Sequence, residues 1–406
     1  MRTGCSLCNG NPVVCTRSLF CPQRSKKEAL FRVRDIMNKE HFSSDAPAPF
    51  IGRFGYPYLN VGVLSPPEQT PEPWIYDAPR AWSGSQYTVP QIISLRSSLL
   101  NSRFKAQVRQ TTRLLDVARQ VGMASKPVPI EVQLVEKPSF HIQTSPYTAP
   151  LGPNARLKKI DITSNPAIHT KVDKVVSDTD WKAADAINYL FKSSFDENFL
   201  AKLLSVGAVG VQASRKLVPT RWSITATDDM IGRQLIAEVK EFPAISEYAA
   251  FFGGYLGNYY LILLFPEVWS YELFETVAYN PTHSSTDYEP YGGRKEYASG
   301  TVGGYYTVRL AILEKLRSMK RQAAALALRS ITREYTTPLG VWVTREAARK
   351  ALSSPPLCFA DKESLLSYAR SCTKTRFQYA AEMQLGRSRL LKAMQQQKLG
   401  SYLKQD

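Results

Sequence analysis

Four of the chain's six cysteines fall within its first 21 residues, as Cys5-Ser-Leu-Cys8, Cys15 and Cys21. Packing does not explain this crowding, because the segment is too poor in bulky aliphatic residues to fold on a core of its own. A CxxC pair lets two thiolates converge on one ion, and two further cysteines complete the tetrahedral sulfur shell that Zn²⁺ prefers. Gly10, Asn11 and Pro12 lie between the pairs, where a tight turn brings them together. Metal binding then supplies the folding energy that the segment lacks. The spacing leaves other fates open: an iron–sulfur cluster, a redox CxxC, two disulfides or surface thiols. No secretory signal is expected ahead of the cluster, since Lys26, Lys27 and Asp35 stand where an apolar stretch would be required.

With 406 residues the chain has the length of about two or three folded units. Its hydrophobic content of 44% is that of a globular protein. The longest uncharged apolar run, Tyr259 to Phe265, has the size of a buried strand and not of a membrane span. A cytoplasmic protein without a membrane segment is the expectation. Lysine and arginine number 52 against 35 acids, a formal charge of +17. Such an excess attracts polyanions, of which nucleic acid is the commonest. It is concentrated between Val89 and Lys126, where Arg96, Arg103, Lys105, Arg109, Arg113, Arg119 and Lys126 oppose the single acid Asp116. A generally basic, solvated surface is the plainer alternative.

The apolar spacing of Ile92, Leu95, Leu99, Val108, Leu115 and Ala118 predicts one long or two short helices from Val89 to Val121. On such a helix Lys105, Arg109 and Arg113 form one exposed stripe, and with Arg96 they are the candidates for DNA contact. Before it, Phe50-Ile-Gly-Arg-Phe-Gly-Tyr-Pro-Tyr-Leu-Asn-Val-Gly-Val alternates small and aromatic residues, its glycines permitting positive φ or close backbone approach. Ile130 to Val135 reads as a strand, and Trp222 to Thr225 as a strand running into a helix from Asp228 to Val239. Phe251 to Phe265 reads as two aromatic strands about a Gly253-Gly254 turn, and Pro266 suits the first turn of a helix through Val277. Helices are further expected over Val302 to Met319, Glu346 to Leu352, Ser364 to Ser371 and Phe377 to Gln397. Helices and strands mixed without a βαβ rhythm predict an α+β fold. The expected organisation is a zinc-binding segment over 1–40, a mixed main domain over 41–390, and over 391–406 a C-terminal helix ending in a flexible tail that carries a partner motif.

Several signatures are absent: GxxxxGK[ST], a GxGxxG after a strand, GxSxG and HExxH. The stretch Val218-Pro-Thr-Arg-Trp-Ser-Ile-Thr-Ala-Thr-Asp-Asp229 offers Arg221 as a phosphate clamp, Ser223 as a hydroxyl donor, and Asp228 and Asp229 as carboxylates. The competing reading makes Thr227 an N-cap with the paired acids at the positive end of a helix. Glu267, Glu272 and Glu275, followed by Asp287 and Glu289, are a second acidic cluster suited to Mg²⁺ or acid–base work, or to the solvated face of an amphipathic helix. At the far end, Gln396-Gln-Lys-Leu399-Gly-Ser-Tyr402-Leu403 fits the box Q-x-x-[LIM]-x-x-aromatic-bulky that docks on the sliding clamp PCNA. On one tight turn Leu399, Tyr402 and Leu403 form an apolar plug with Gln396 at its edge; the pattern is loose enough that a frayed helix end is the plainer alternative. Leu403 replaces the preferred second aromatic residue, which weakens such a contact.

The cysteine knuckle, FIGRFGYP, VPTRWSITATDD, FPEVWSYELFE, GGYYTVRLAILE, PLGVWVTREAARKAL and the terminal box occur in one order. Together they resemble the archaeal Nre family of DNA repair proteins over essentially the whole chain. The resemblance implies a cytoplasmic archaeal protein acting in the DNA-damage response with the sliding clamp. It makes Cys5, Cys8, Cys15 and Cys21 the zinc ligands and Gln396, Leu399, Tyr402 and Leu403 the clamp contacts. It implies no particular reaction. Two readings follow: a zinc-containing repair factor recruited by the clamp, or an enzyme on DNA or a nucleotide, a nuclease or an NAD-dependent ADP-ribosyl transferase. The enzyme reading places its site at Arg221, Ser223, Asp228, Asp229 and Glu267.

Overall fold

A computed structural model describes residues 22–138 and 151–395. Cys5, Cys8, Cys15 and Cys21, and Gln396, Leu399, Tyr402 and Leu403, lie outside the described residues. The fold is α+β, and the chain divides into two units. The first takes in residues to Ile231 with Thr336–Gly340, and the second is Gly232–Tyr335 with the residues from Val341 onward. Each unit is built on a six-stranded sheet.

In the first unit, helix α1 (Pro22–Met37) precedes β1 (His41–Ala46), β2 (Ala48–Ile51) and β3 (Tyr58–Ser65). Then come α2 (Pro79–Gly84), α3 (Val89–Ser97), β4 (Leu100–Gln107), α4 (Arg113–Met123), β5 (Val128–Leu134) and β6 (Asn154–Ile162). Three helices, α5 (Thr170–Ser177), α6 (Ala183–Lys192) and α7 (Glu197–Ser205), lead to the long α8 (Thr220–Lys240), which carries the boundary between the units. The sheet order is β1-β5-β6-β4-β3-β2, antiparallel throughout except for the parallel β4–β6 pair. Period-two alternation sends Leu59, Val61 and Val63 of β3 to one face, together with Val132 of β5 and Leu157 and Ile160 of β6. Leu115, Ala118 and Val121 of α4 close that face. Each fully buried Leu, Val or Ile side chain here contributes roughly 1.5–3 kcal/mol.

The stretch from Val89 to Val121 is helix–strand–helix and not the expected run of helix. Helix α3 ends at Ser97, and α4 starts only where the Thr112 side chain accepts the Leu115 amide at 3.3 Å. Between them Leu100 to Gln107 is recruited into the sheet by β3 on one side and β6 on the other. The helical stripe of Lys105, Arg109 and Arg113 therefore does not exist: Lys105 lies on a strand, Arg109 in the following turn, and Arg113 at the start of α4.

The second unit holds β7 (Tyr248–Tyr255), β8 (Asn258–Phe265), β9 (Ser270–Val277) and β10 (Asn280–Glu289). These are followed by α9 (Gly303–Met319), β11 (Ala324–Ile331), α10 (Trp342–Ser353), β12 (Leu357–Phe359), α11 (Lys362–Phe377), α12 (Glu382–Arg387) and α13 (Arg389–Gln395). The order is β10-β9-β11-β8-β7-β12, with β9 and β11 parallel. Leu261, Leu263, Phe274, Leu326 and Leu328 meet Leu365, Ala369, Leu385 and Leu390 of the last helices in one core. Helices α9 and α10 also pack on each other, and α10 packs on β7 and β8.

Two expectations are corrected here. The turn between β7 and β8 is made by Leu256 and Gly257, both at positive φ, while Gly253 lies within β7. A Cβ on Gly253 would sit 2.8 Å from the Ala351 Cα, so glycine lets α10 lie against the strand. The segment expected as a helix from Pro266 to Val277 is instead strand β9, whose sequence SYELFETV is aromatic and β-branched and alternates in burial.

Candidate nucleic-acid interface

The face of the first sheet turned away from its core carries a row of cations. Gly62 of β3 pairs with Arg103 of β4, and Arg103 pairs directly with Arg156 of β6. Two residues further along, Lys105 of β4 pairs with Asn60 of β3. Lys158 follows Arg156 on β6, and all four cations are exposed. None of Arg103, Lys105, Arg156 and Lys158 meets a carboxylate among the described residues. Like charges placed opposite each other on a sheet repel, so this pairing does not serve the stability of the unit.

The same register brings an aromatic cluster to the end of the row. Tyr58 pairs with Gln107, so its ring shares the face of Lys105 and Arg103. It closes the hairpin between β2 and β3, where the Tyr58 amide donates to the Gly55 carbonyl at 2.7 Å. Gly55 takes φ +89°, and a Cβ there would lie 2.8 Å from the Tyr58 carbonyl oxygen, so the turn requires glycine. The ring residues of this hairpin stay in solvent, with Phe54 72%, Tyr56 56% and Tyr58 58% exposed. Arg53 lies over the Phe54 ring, 4.7 Å from its centroid. Gly62 has a separate reason: a Cβ there would fall 1.8 Å from Asn101 Oδ1, whose side chain lies across β3.

Two of the other basic candidates are engaged with carboxylates. Arg96 on α3 donates to Asp77 at 2.6 Å and is largely covered. Arg113 pairs with Asp161, which also holds Lys159 at 2.6 Å. The Lys159 hydrogen bond, and then the Arg113 charge, keep the Asp161 carboxyl below its ordinary range. Arg109 is exposed in the turn after β4.

The residues expected to form a phosphate-and-sugar site are arranged differently from an extended run. Thr220 to Lys240 is one helix, on which Arg221 and Ser223 point about 200° apart. Arg221 is exposed, whereas Ser223 is buried and its Oγ donates to the Thr220 carbonyl at 3.0 Å. Thr220 in turn accepts the Ile51 amide at 2.9 Å, tying the start of α8 to β2. Asp228 is buried, Asp229 is half-buried, and Glu267 belongs to the second unit, just after β8. Thr227 lies inside the helix and caps nothing.

The acidic cluster of the second unit is likewise internal. Because β9 alternates, Glu272 and Glu275 go to opposite faces of the sheet and do not converge. Glu272 is fully buried and accepts from the Ser388 Oγ at 2.6 Å and from the Arg389 and Leu390 amides at 3.1 and 3.0 Å, which anchors the start of α13. Glu275 accepts from Arg329 at 2.6 Å in the row Tyr260–Arg329–Glu275. Burial works most strongly against the Arg329 charge, but the Glu275 carboxylate together with Tyr260 and Tyr335 offsets it and holds the guanidinium ionised. A Cβ on Gly304 would lie 2.3 Å from Glu275 Oε1, so a carboxylate fills the space at the first turn of α9 where a bound phosphate would have to sit.

Glu289 accepts from Arg309 at 2.7 Å and from the Tyr305 hydroxyl, and Asp287 accepts from the Thr301 amide and hydroxyl at 2.6 and 2.9 Å. Each of these carboxylates is matched by internal donors, the pattern of a locked core. Among the described residues no group of three or more His, Cys, Asp or Glu is placed to hold a metal ion.

Fold and surface together define a two-unit α+β protein with an open cationic sheet face in one unit and an arginine–carboxylate core in the other. The chain belongs to the archaeal Nre family: the Nre N-terminal model matches residues 14–284 and the Nre C-terminal model residues 289–402. It is 34% identical to the DNA repair protein NreB of Archaeoglobus fulgidus, over 91% of this chain and 96% of that one. It is also 34% identical to the DNA repair protein NreA of Haloferax volcanii, over 81% of each. The DNA repair protein NreA of Archaeoglobus fulgidus is 33% identical over 90% of this chain and 92% of its own. No solved structure matches the chain. Among the described residues no helix is long and apolar enough to cross a membrane.

Proposed function

We propose that this chain is a DNA repair protein that grips the phosphate backbone with the open face of its first sheet. The observation that carries the reading is the direct pairing of Arg103 with Arg156, beside Lys105 and Lys158 and without a carboxylate partner among the described residues. Phosphates laid between such cations relieve their mutual repulsion, and each phosphate so neutralised releases condensed counterions from the polyanion, which drives binding. The names of the relatives supply the process, DNA repair. In this reading Cys5, Cys8, Cys15 and Cys21 hold one structural Zn²⁺, and Gln396, Leu399, Tyr402 and Leu403 dock on the sliding clamp, which brings the sheet face to DNA.

Lysine acetylation in the presence and absence of DNA tests the reading. Lys105 and Lys158 become protected by DNA, while Lys320, exposed on the second unit, reacts at an unchanged rate. Equal labelling of Lys105 and Lys158 with and without DNA excludes this face.

A further inference from the structure

We infer that the hairpin Gly52 to Tyr58 and the cationic row form a single-strand site, in which unstacked bases lie on exposed rings while phosphates lie on Arg103, Lys105 and Arg156. The inference rests on the backbone-gripping role proposed above and adds the form of nucleic acid that the face selects. Three large rings in five residues stand in solvent on a hairpin whose strands otherwise bury their apolar side chains. Packing therefore does not account for Phe54, Tyr56 and Tyr58. Tyr58 is held by register on the same face as the cations, and four residues of strand, about 13 Å, separate its row from that of Arg103 and Arg156. A strand of DNA laid along β3 and β4 thus meets rings at one end and guanidinium groups at the other.

The chemistry selects a single strand. Stacking on an aromatic side chain needs a free base face, and paired, stacked bases in a duplex present only their edges. Rings beside a cationic groove suit a strand of any sequence, because every base has a π-face. Arg53 over Phe54 adds a guanidinium plane on which a neighbouring base can also stack.

Fluorescence anisotropy of the full chain tests this with a labelled single-stranded oligonucleotide and with its duplex, at one salt concentration. The wild type binds the single strand more tightly. Tyr58→Ala and Tyr56→Ala each weaken single-strand binding about tenfold and leave duplex binding within about twofold, whereas Tyr58→Phe, which keeps the ring, binds as the wild type does. The thermal midpoint, measured on each variant, stays at the wild-type value, as expected for rings in solvent. Arg103→Ala with Arg156→Ala weakens both forms of DNA. If that double variant weakens both forms while the tyrosine variants change neither, the backbone grip stands and the single-strand inference falls. Tighter binding to the duplex, or equal losses on both forms from Tyr58→Ala, also overturns it. DNA binding untouched by the arginine changes removes the grip and this inference together.

Discussion

Arg103 of β4 stands directly opposite Arg156 of β6, and neither guanidinium reaches a carboxylate among the described residues. The two are 53 positions apart in sequence and are brought together by the parallel β4–β6 register. Opposed like charges on a sheet oppose folding by roughly 0.2–1 kcal/mol. Replacing one of them in the free protein is thus expected to leave stability unchanged or to raise it slightly. Thermal unfolding of Arg156→Gln without DNA checks this. A loss beyond about 1 kcal/mol would mean that Arg156 has a structural role which the register does not reveal.

The second unit responds in the opposite way to loss of a charge. Arg329 is buried and its partner Glu275 is largely covered, so Glu275→Ala leaves the guanidinium charge in the core with the neutral Asn258 Oδ1 as its remaining acceptor. A loss of about 3–5 kcal/mol is expected, read as a lowered denaturation midpoint of the second unit. Glu275→Gln keeps an oxygen for Arg329 and is expected to lose less. Equal and small effects from both changes would contradict the structural role given to this carboxylate.

How much of this was legible in the sequence depends on whether a feature was local. The α+β class, the length of α9 and the strand at Ile130 follow from periodicity and composition, and the structure has them. Charge density between Val89 and Lys126 located Lys105, but not the geometry around it. The spacing of Lys105, Arg109 and Arg113 matches a helical turn, and only pairing with β3 and β6 makes Leu100–Gln107 a strand. No single-chain pattern announces that Arg103 will meet Arg156, because a parallel register is set by tertiary packing. In VPTRWSITATDD the stretch Trp222 to Thr225 reads as a strand, yet α8 takes it, anchored by the Thr220 bond to Ile51. FIGRFGYP was legible as a glycine-permitted turn, but the solvent exposure of its rings was not.

Alkaline unfolding gives a third expectation. Tyr260, Tyr271 and Tyr305 lie in the core of the second unit, and burial, more than any neighbouring charge, raises each hydroxyl above its ordinary value. The folded state then keeps these protons where the unfolded state, near an ordinary value of about 10, has begun to lose them. Unfolded chain binds fewer protons in that window, so stability is full below about pH 10 and falls as pH rises beyond it. Tyrosinate absorbance from these three residues should appear together with loss of near-ultraviolet circular dichroism. Their titration in a chain that still shows native dichroism would contradict the packing described.

The salt dependence of DNA affinity tests the central claim most directly. Plotted as log affinity against log salt concentration, the slope counts the phosphates neutralised, at about 0.7 per contact on a single strand and about 0.9 on a duplex. Neutralising Arg103, Lys105 and Arg156 together removes up to three contacts. The slope is then expected to become shallower by about 2 on a single strand, with native unfolding behaviour retained. An unchanged slope in a folded triple variant would contradict the assignment of DNA to this sheet face.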